Sequence, residues 1–277
     1  MYNNPASIAI QEAAALFPST PDPSLVVSLG TGSARGGLPD TSMPRRFWRD
    51  SFLFRILRAF WQHGNSRRAW KQLLSCQRVG RVGEFFRFDI EFEGREPPLD
   101  NVFDMKEISE IARETMLGSP ELNKLAHRIR AELFVFELDL GRPFQFINGT
   151  YECTGRILCR LRAKTPELDA LIAQLAKASA VLLLEDRILP GSFQDRSARS
   201  DDGNFQKEVR FRTLSRTEPF KISLREGGDD SPISGSPFTL QSLIEAQSLD
   251  ARFGTRDHRK RKWKGWCEMG RKRMRRD

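Results

Sequence analysis

Three stretches of this 277-residue chain have the residue types that could do chemistry. Ser28-Leu29-Gly30-Thr31-Gly32 sets a hydroxyl and two glycines at the end of a short apolar run. A dinucleotide loop would need a third glycine at position 35, which is Arg35, and a helix after it, which Pro39 and Pro44 interrupt. Ser28 lies inside the run and has no base nearby in sequence. A glycine-enabled strand exit is the better account. Gly64-Asn65-Ser66-Arg67-Arg68 approaches the Gly-x-Ser-x-Gly elbow that exposes a nucleophilic serine, but it lacks the second glycine and sits between helices. Asp202-Gly203 is the one Asp-Gly pair, and its polar surroundings mark it as a turn.

Metal and thiol chemistry have weaker support. The cysteines at 76, 153, 159 and 267 form no C-x-x-C pair, and His63, His127 and His258 do not cluster with them. Cys153 and Cys159 fall on one expected strand, where six residues hold them about 20 Å apart, too far for a disulfide. They are expected to be reduced, structural thiols. No cofactor is expected.

The elements that must position these residues follow from pattern. Pro5–Phe17 is expected to be a helix capped by Asn4, with Pro5 at its first position and Pro18 and Pro21 beyond its end. Ser24–Leu29 is an expected buried strand, and residues 33–44 a loop. Arg45–Trp61 mixes Trp and Phe with five arginines, and a second helix follows over Ser66–Leu74. Phe86, Phe88, Ile90 and Phe92 alternate with Arg87, Asp89 and Glu91, the period of one half-buried strand. Met105–Leu117 and Pro120–Phe134 are expected helices, with Ser119 capping the second.

Beyond Phe134 the chain turns β-rich. Asn148-Gly149 predicts a hairpin. Tyr151, Cys153, Ile157, Cys159 and Leu161 share the dry face of a long strand with a bulge expected at Gly155. A helix runs from Thr165-Pro166-Glu167 to about Ala178, and a strand over Ala180–Leu184. Residues 190–204 are expected to be a mobile loop, Phe205–Arg212 and Phe220–Arg225 strands, Gly227–Pro237 turns, and Thr239–Leu249 a short helix.

Composition bounds the partners. The net charge of +9 resides in residues 252–277, which hold twelve Lys/Arg and three Asp/Glu; the rest of the chain is neutral. A uniformly basic nucleic-acid-binding body is disfavoured. No apolar run has membrane-span length, and the first residues lack a secretory pattern, so a cytoplasmic location is expected. The tail carries two basic clusters, Arg259-Lys260-Arg261-Lys262 and Arg271-Lys272-Arg273, around Trp263 and Trp266. A nuclear import receptor, anionic lipid or RNA could each read them, and a solvated disordered tail, or sequence read past a splice site, fits equally. Phe253–Arg261 could also close the preceding β-rich module.

Asn3-Asn4-Pro5, Ala9, Glu12-Ala13 and Ser28-Leu29-Gly30-Thr31-Gly32 together resemble the patatin-like phospholipase family in order, spacing and expected secondary structure. Arg68-Ala69-Trp70, the Phe86–Phe92 strand and the Met105–Phe134 helices resemble its fungal members. The resemblance covers roughly residues 1–135, more loosely to Leu161, and is specific over the first 32. It implies a three-layer α/β/α fold and metal-independent hydrolysis of lipid acyl esters by a Ser–Asp dyad beside a Gly-rich oxyanion loop. In that family all three catalytic elements precede the Asn-Asn-Pro motif, and none has a counterpart here. The expectation is therefore a C-terminal portion of such a hydrolase, inactive as given. Its residues 1–138 would form an incomplete α/β/α remnant, 139–254 a β-rich α+β module, and 255–277 a disordered basic tail. Asn3, Asn4, Pro5, Glu12, Gly30, Thr31 and Gly32 would be structural residues of the family motif. The remnant would be poorly stable unless the missing N-terminal half of the fold completes it. Trp48, Phe52, Phe60 and Trp61 would either touch a membrane surface or pack against that missing half. The alternative is a non-enzymatic interaction protein that binds through the module and the basic tail.

Overall fold

The computed structural model describes residues 4–18, 23–34, 66–75, 84–93 and 102–247. The Arg45–Trp61 segment, with its four expected lipid-contact residues, and the basic tail from 248 onward lie outside them. Helices and sheets are mixed in two compact units, Met1–Asn123 and Lys124–Asp277. The division falls ahead of the expected boundary at 138/139, because the strand over Phe134–Leu138 is bonded into the second unit.

In the first unit, α1 covers Ala6–Leu16. Pro5 is the N-cap, one position ahead of the first helical place expected for it, and its carbonyl accepts from Ala9 N at 2.9 Å; Asn4, expected as the cap, sits one residue further out, where its Oδ1 accepts from Ala6 N at 3.0 Å. Strands β1 (Leu25–Leu29) and β2 (Ser33–Ala34) precede α2 (Ser66–Ser75), whose Trp70 is buried and tilted against Phe85. Then come β3 (Glu84–Phe88), β4 (Glu91–Phe92), a 3₁₀ turn at Val102–Asp104, and α3 (Met105–Met116). Strand β3 runs parallel to β1, from Leu25↔Glu84 to Leu29↔Phe88, and β4 runs parallel to β2.

Two expectations are corrected here. The single strand over Phe86–Phe92 is broken at Asp89-Ile90, where the Asp89 carboxylate takes the Ile90 N–H at 3.2 Å and so bends the chain out of the ladder. And β1 is not a buried apolar strand. Its one buried residue is Ser28, while Val27 is exposed and Leu29 is 77% exposed.

Helix α4 (Pro120–Glu132) leads into the second unit, with the Ser119 hydroxyl accepting from Leu122 N at 3.4 Å. There follow β5 (Phe134–Leu138), β6 (Gln145–Ile147), β7 (Thr150–Cys159), α5 (Pro166–Lys177), β8 (Val181–Leu184) and β9 (Arg187–Ile188). After a 3₁₀ turn at Arg196–Ala198 come β10 (Gln206–Thr213), β11 (Pro219–Phe220), β12 (Ile222–Glu226), β13 (Asp229–Pro232), β14 (Phe238–Thr239) and α6 (Leu240–Gln247).

One antiparallel sheet runs β10-β7-β5 with β6 folded onto β7; another runs β13-β12-β8-β9. The chain leaving β13 joins them. Ile233 N donates to Ile222 O at 3.1 Å, and Ser234 N donates to Phe134 O at 3.0 Å. The hairpin at Asn148-Gly149 has positive φ at both residues, the backbone of the expected tight turn.

One core fills this unit. Phe136 meets Phe211, Phe220 and Phe238 at 5.5–5.9 Å between ring centres. Helix α5 buries Leu168, Leu171, Ile172 and Leu175, a helical stripe, each contributing about 1.5–3 kcal/mol if fully withdrawn from water. Helix α6 adds Leu240, Leu243 and Ile244. Strand β7 alternates as expected, but Gly155 forms no bulge: its register with β5 and β10 is unbroken. The glycine makes room instead, since a Cβ there would lie 2.3 Å from the Phe136 ring.

Polar bonds tie the ends of the unit together. Arg130 grips the Glu226 carboxylate with two nitrogens at 2.6–3.1 Å, and Arg128 donates to Pro232 O and Glu132. The Gln247 side-chain amide accepts from Leu138 N at 2.8 Å and donates to Leu138 O at 3.1 Å, pairing both backbone groups of that residue. Residues 190–204 are not a loose loop. Phe193 is buried, stacks on Phe205 at 5.5 Å and tilts against Phe134.

Candidate functional site

Of the residues on which the family resemblance rests, Asn4, Ser28, Gly30 and Gly32 meet Arg87 and Asp89 at the C-terminal ends of β1 and β3. Asn4 joins α1 to β1: beyond its bond to Ala6 N, its Oδ1 lies 3.5 Å from Ser28 Oγ, at the long limit of a hydrogen bond. Ser28 Oγ accepts from Arg87 Nη1 at 2.8 Å, and Arg87 Nη2 pairs with Asp89 Oδ2 at 2.8 Å. The other carboxylate oxygen, Asp89 Oδ1, accepts from Gly32 N at 2.9 Å. Gly30 fits against the same carboxylate; a Cβ at that position would lie 2.2 Å from Asp89 Oδ1. The glycines of the strand exit are thus required by close approach, and Gly32 also by its φ of +98°.

The cluster is withdrawn from water, with the Arg87 and Asp89 side chains 8% and 14% exposed. A buried guanidinium–carboxylate pair is stabilised by further hydrogen bonds, which the Ser28 hydroxyl supplies to Arg87 Nη1 and the Gly32 and Ile90 amides supply to Asp89. Asn4 is buried too, and its Nδ2 has no acceptor among the described residues. An orphaned buried donor of this kind costs roughly 1–3 kcal/mol.

Chemically the arrangement can orient and hold, but it does not activate Ser28. A nucleophilic serine needs a neighbour that takes its proton. Ser28 Oγ instead accepts from a cation, and its nearest further partner is the Asn4 amide oxygen. Asp89 is engaged by Arg87, Gly32 and Ile90.

The other expected motif residues scatter. Thr31 and Glu12 are exposed and take no part in the cluster, Pro5 opens α1, and Asn3 lies outside the described residues. Of the decoys, Ser66 starts α2, and Asp202-Gly203 is a tight turn closed by Gly203 N to Ser200 O at 2.8 Å. Among the described residues no three His, Cys, Asp or Glu side chains gather as metal ligands, and no helix is long and apolar enough to cross a membrane. Cys153 and Cys159 are buried on the dry face of β7, where burial pushes each thiol up to about 11.

Sequence reasoning missed two polar features. Arg87 and Asp89 were assigned to a wet strand face, yet they face the Gly30–Gly32 exit. An Arg-x-Asp pair on one face is a spacing that could have suggested an internal ion pair. In the second unit, Lys207 points inward from β10 between Phe205 and Val209, and its Nζ donates to Gly191 O at 2.7 Å. Burial lowers its pKa, and the charge of Asp195 partly opposes that shift. Asp195 in turn accepts from Ser192 N at 2.6 Å, so the two charges pin the 190–204 segment.

Comparison with family models, with curated proteins and with solved structures returns no match.

Proposed function

We propose that residues 1–123 are the supporting portion of a patatin-like lipid acyl hydrolase fold of fungal type, and that hydrolysis requires a Ser–Asp dyad absent from the recognisable motifs of this sequence. The observation that supports this reading is the meeting of Asn4 with Ser28. They belong to two separate blocks of the motif, and in the fold one amide oxygen accepts from the N–H of Ala6, the first residue of α1, and lies 3.5 Å from the Ser28 hydroxyl of β1. Two matched blocks thereby act as one physical unit at the C-terminal ends of parallel strands, where open α/β sheets place their sites. The two-stranded parallel β1–β3 pair agrees with a sheet extended by further strands, and Val27 and Leu29, exposed on one face of it, agree with a covering layer. A lipid surface, the complementary part of the sheet, and a nuclear import receptor or RNA on the basic tail are the partners this reading carries, in the cytoplasm or nucleus.

A chimera tests it. Residues 4–34 and 84–92 replace the matching segments of an active patatin-like hydrolase. A folded chimera that still cleaves p-nitrophenyl butyrate supports the assignment, and a folded but inactive one overturns it. The chain alone is expected neither to cleave that ester nor to react with a fluorophosphonate.

A second reading rests on the second unit. Its core is complete over 124–247, as a freestanding interaction module requires, while Phe146 and Leu214 stay 62% and 70% exposed. Pull-down with the 124–247 segment, against a Phe146→Ser/Leu214→Ser variant, separates a binding module from a structural appendage.

A further inference from the structure

We propose that the N-terminal turn of α1, together with the Asn4 side-chain amide, is a receptor for an anionic oxygen, carboxylate or phosphoryl. Two independent observations meet there. The first is the mouth of an eleven-residue helix, whose leading N–H groups have no partner within the helix and carry the positive end of its dipole. The Ala6 N–H is taken by Asn4 Oδ1, and Pro5 has none to offer.

The second is Asn4 itself. It is 6% exposed, and its Nδ2 is a buried donor with no acceptor among the described residues. The planar amide is held through Oδ1 by Ala6 N and Ser28 Oγ, so Nδ2 is fixed at the same helix mouth. A donor fixed there, beside a helix N-terminus, calls for an acceptor oxygen, and negative charge on that oxygen strengthens both contacts.

The surrounding charges permit it. Arg87 is linked to Asn4 through Ser28, and the Asp89 carboxylate is already engaged by Arg87, Gly32 N and Ile90 N. The inference does not rest on the acyl-hydrolase reading, since an anion can seat here whether or not the fold supports hydrolysis.

The test uses the full chain, ¹⁵N-labelled, titrated separately with inorganic phosphate, with acetate and with chloride at matched ionic strength. The expected result is a saturable shift of the Asn4 side-chain NH₂ resonance with phosphate, acetate or both, and none with chloride. Phosphate alone identifies a phosphoryl site, acetate alone a carboxylate site. Asn4→Asp keeps the capping oxygen but replaces the donor with a second, charged oxygen. It should weaken binding about tenfold or more, followed on the Ala6 backbone amide, while helix content is unchanged. Asn4→Ser, also a cap without the NH₂ group, gives the same reading if the aspartate variant misfolds. No saturable shift with either anion, as when Nδ2 holds only an internal water, overturns the proposal. So does an equal response to chloride, or undiminished binding in a folded variant.

Discussion

The Lys207 ammonium reaches from the inward face of β10 to the carbonyl of Gly191, 2.7 Å away, and so ties the 190–204 segment to the sheet that covers the core. Burial holds its pKa below the ordinary 10.5. The unfolded chain therefore binds the proton more tightly than the folded one. Between the lowered folded value and 10.5 the unfolded state carries more protons, so this group's contribution makes stability rise with pH through that window. Urea denaturation from pH 7 to 10 should show the rise in the wild type and a smaller one in Lys207→Met.

Gly155→Ala should cost about 1–3 kcal/mol, the range for overpacking a close-packed core. The new methyl would meet the Phe136 ring at 2.3 Å and the Glu137 carbonyl at 2.7 Å. Phe136→Leu opens part of that space, so the double variant should be destabilised by less than the sum of the two single losses. Chemical denaturation of the three variants measures the coupling.

The Arg130–Glu226 pair clasps α4 to β12 in a two-pronged geometry, with the side chains 27% and 10% exposed. A double-mutant cycle with Arg130→Ala and Glu226→Ala should return a coupling of about 1 kcal/mol, above the usual surface ion pair because solvent screens it less. A coupling near zero would show that the clasp contributes geometry and no stability.

Cys153 and Cys159 should be inert in the folded chain. Burial pushes each thiol to about 11, leaving almost no thiolate at neutral pH. In a Cys76→Ser/Cys267→Ser background, Ellman's reagent at pH 7.5 should find no reactive thiol natively and two after denaturation.

The second unit was largely legible because its local signals agree with its packing. Asn148-Gly149 dictates the hairpin, Thr165-Pro166 opens α5, and the odd positions of β7 face the core. The 190–204 segment was misjudged because its polar count conceals one decisive ring, Phe193, and because the lysine that pins it lies in another element. In the first unit, alternation gave the strand but not its break. Asp89 turns the chain by taking the amide of its neighbour Ile90 and that of Gly32, the latter a contact between positions 57 residues apart that no local pattern encodes. Likewise Asn4-Pro5 made the start of α1 legible to within one residue, whereas the contact of Asn4 with Ser28 needed the fold.

The pairing of Gln247 with Leu138 has a consequence for the nascent chain. The two residues are 109 positions apart, so β5 leaves the ribosome long before the amide that completes it. At about 5–20 residues per second, that interval is on the order of 5–20 s. Throughout it the Leu138 backbone groups on the far side of β5 lack their partner and are open to a neighbouring chain on the same polysome. Synthesis that stalls ahead of Gln247 should therefore yield material that self-associates through β5, and slowing translation there should lower the yield of monomer.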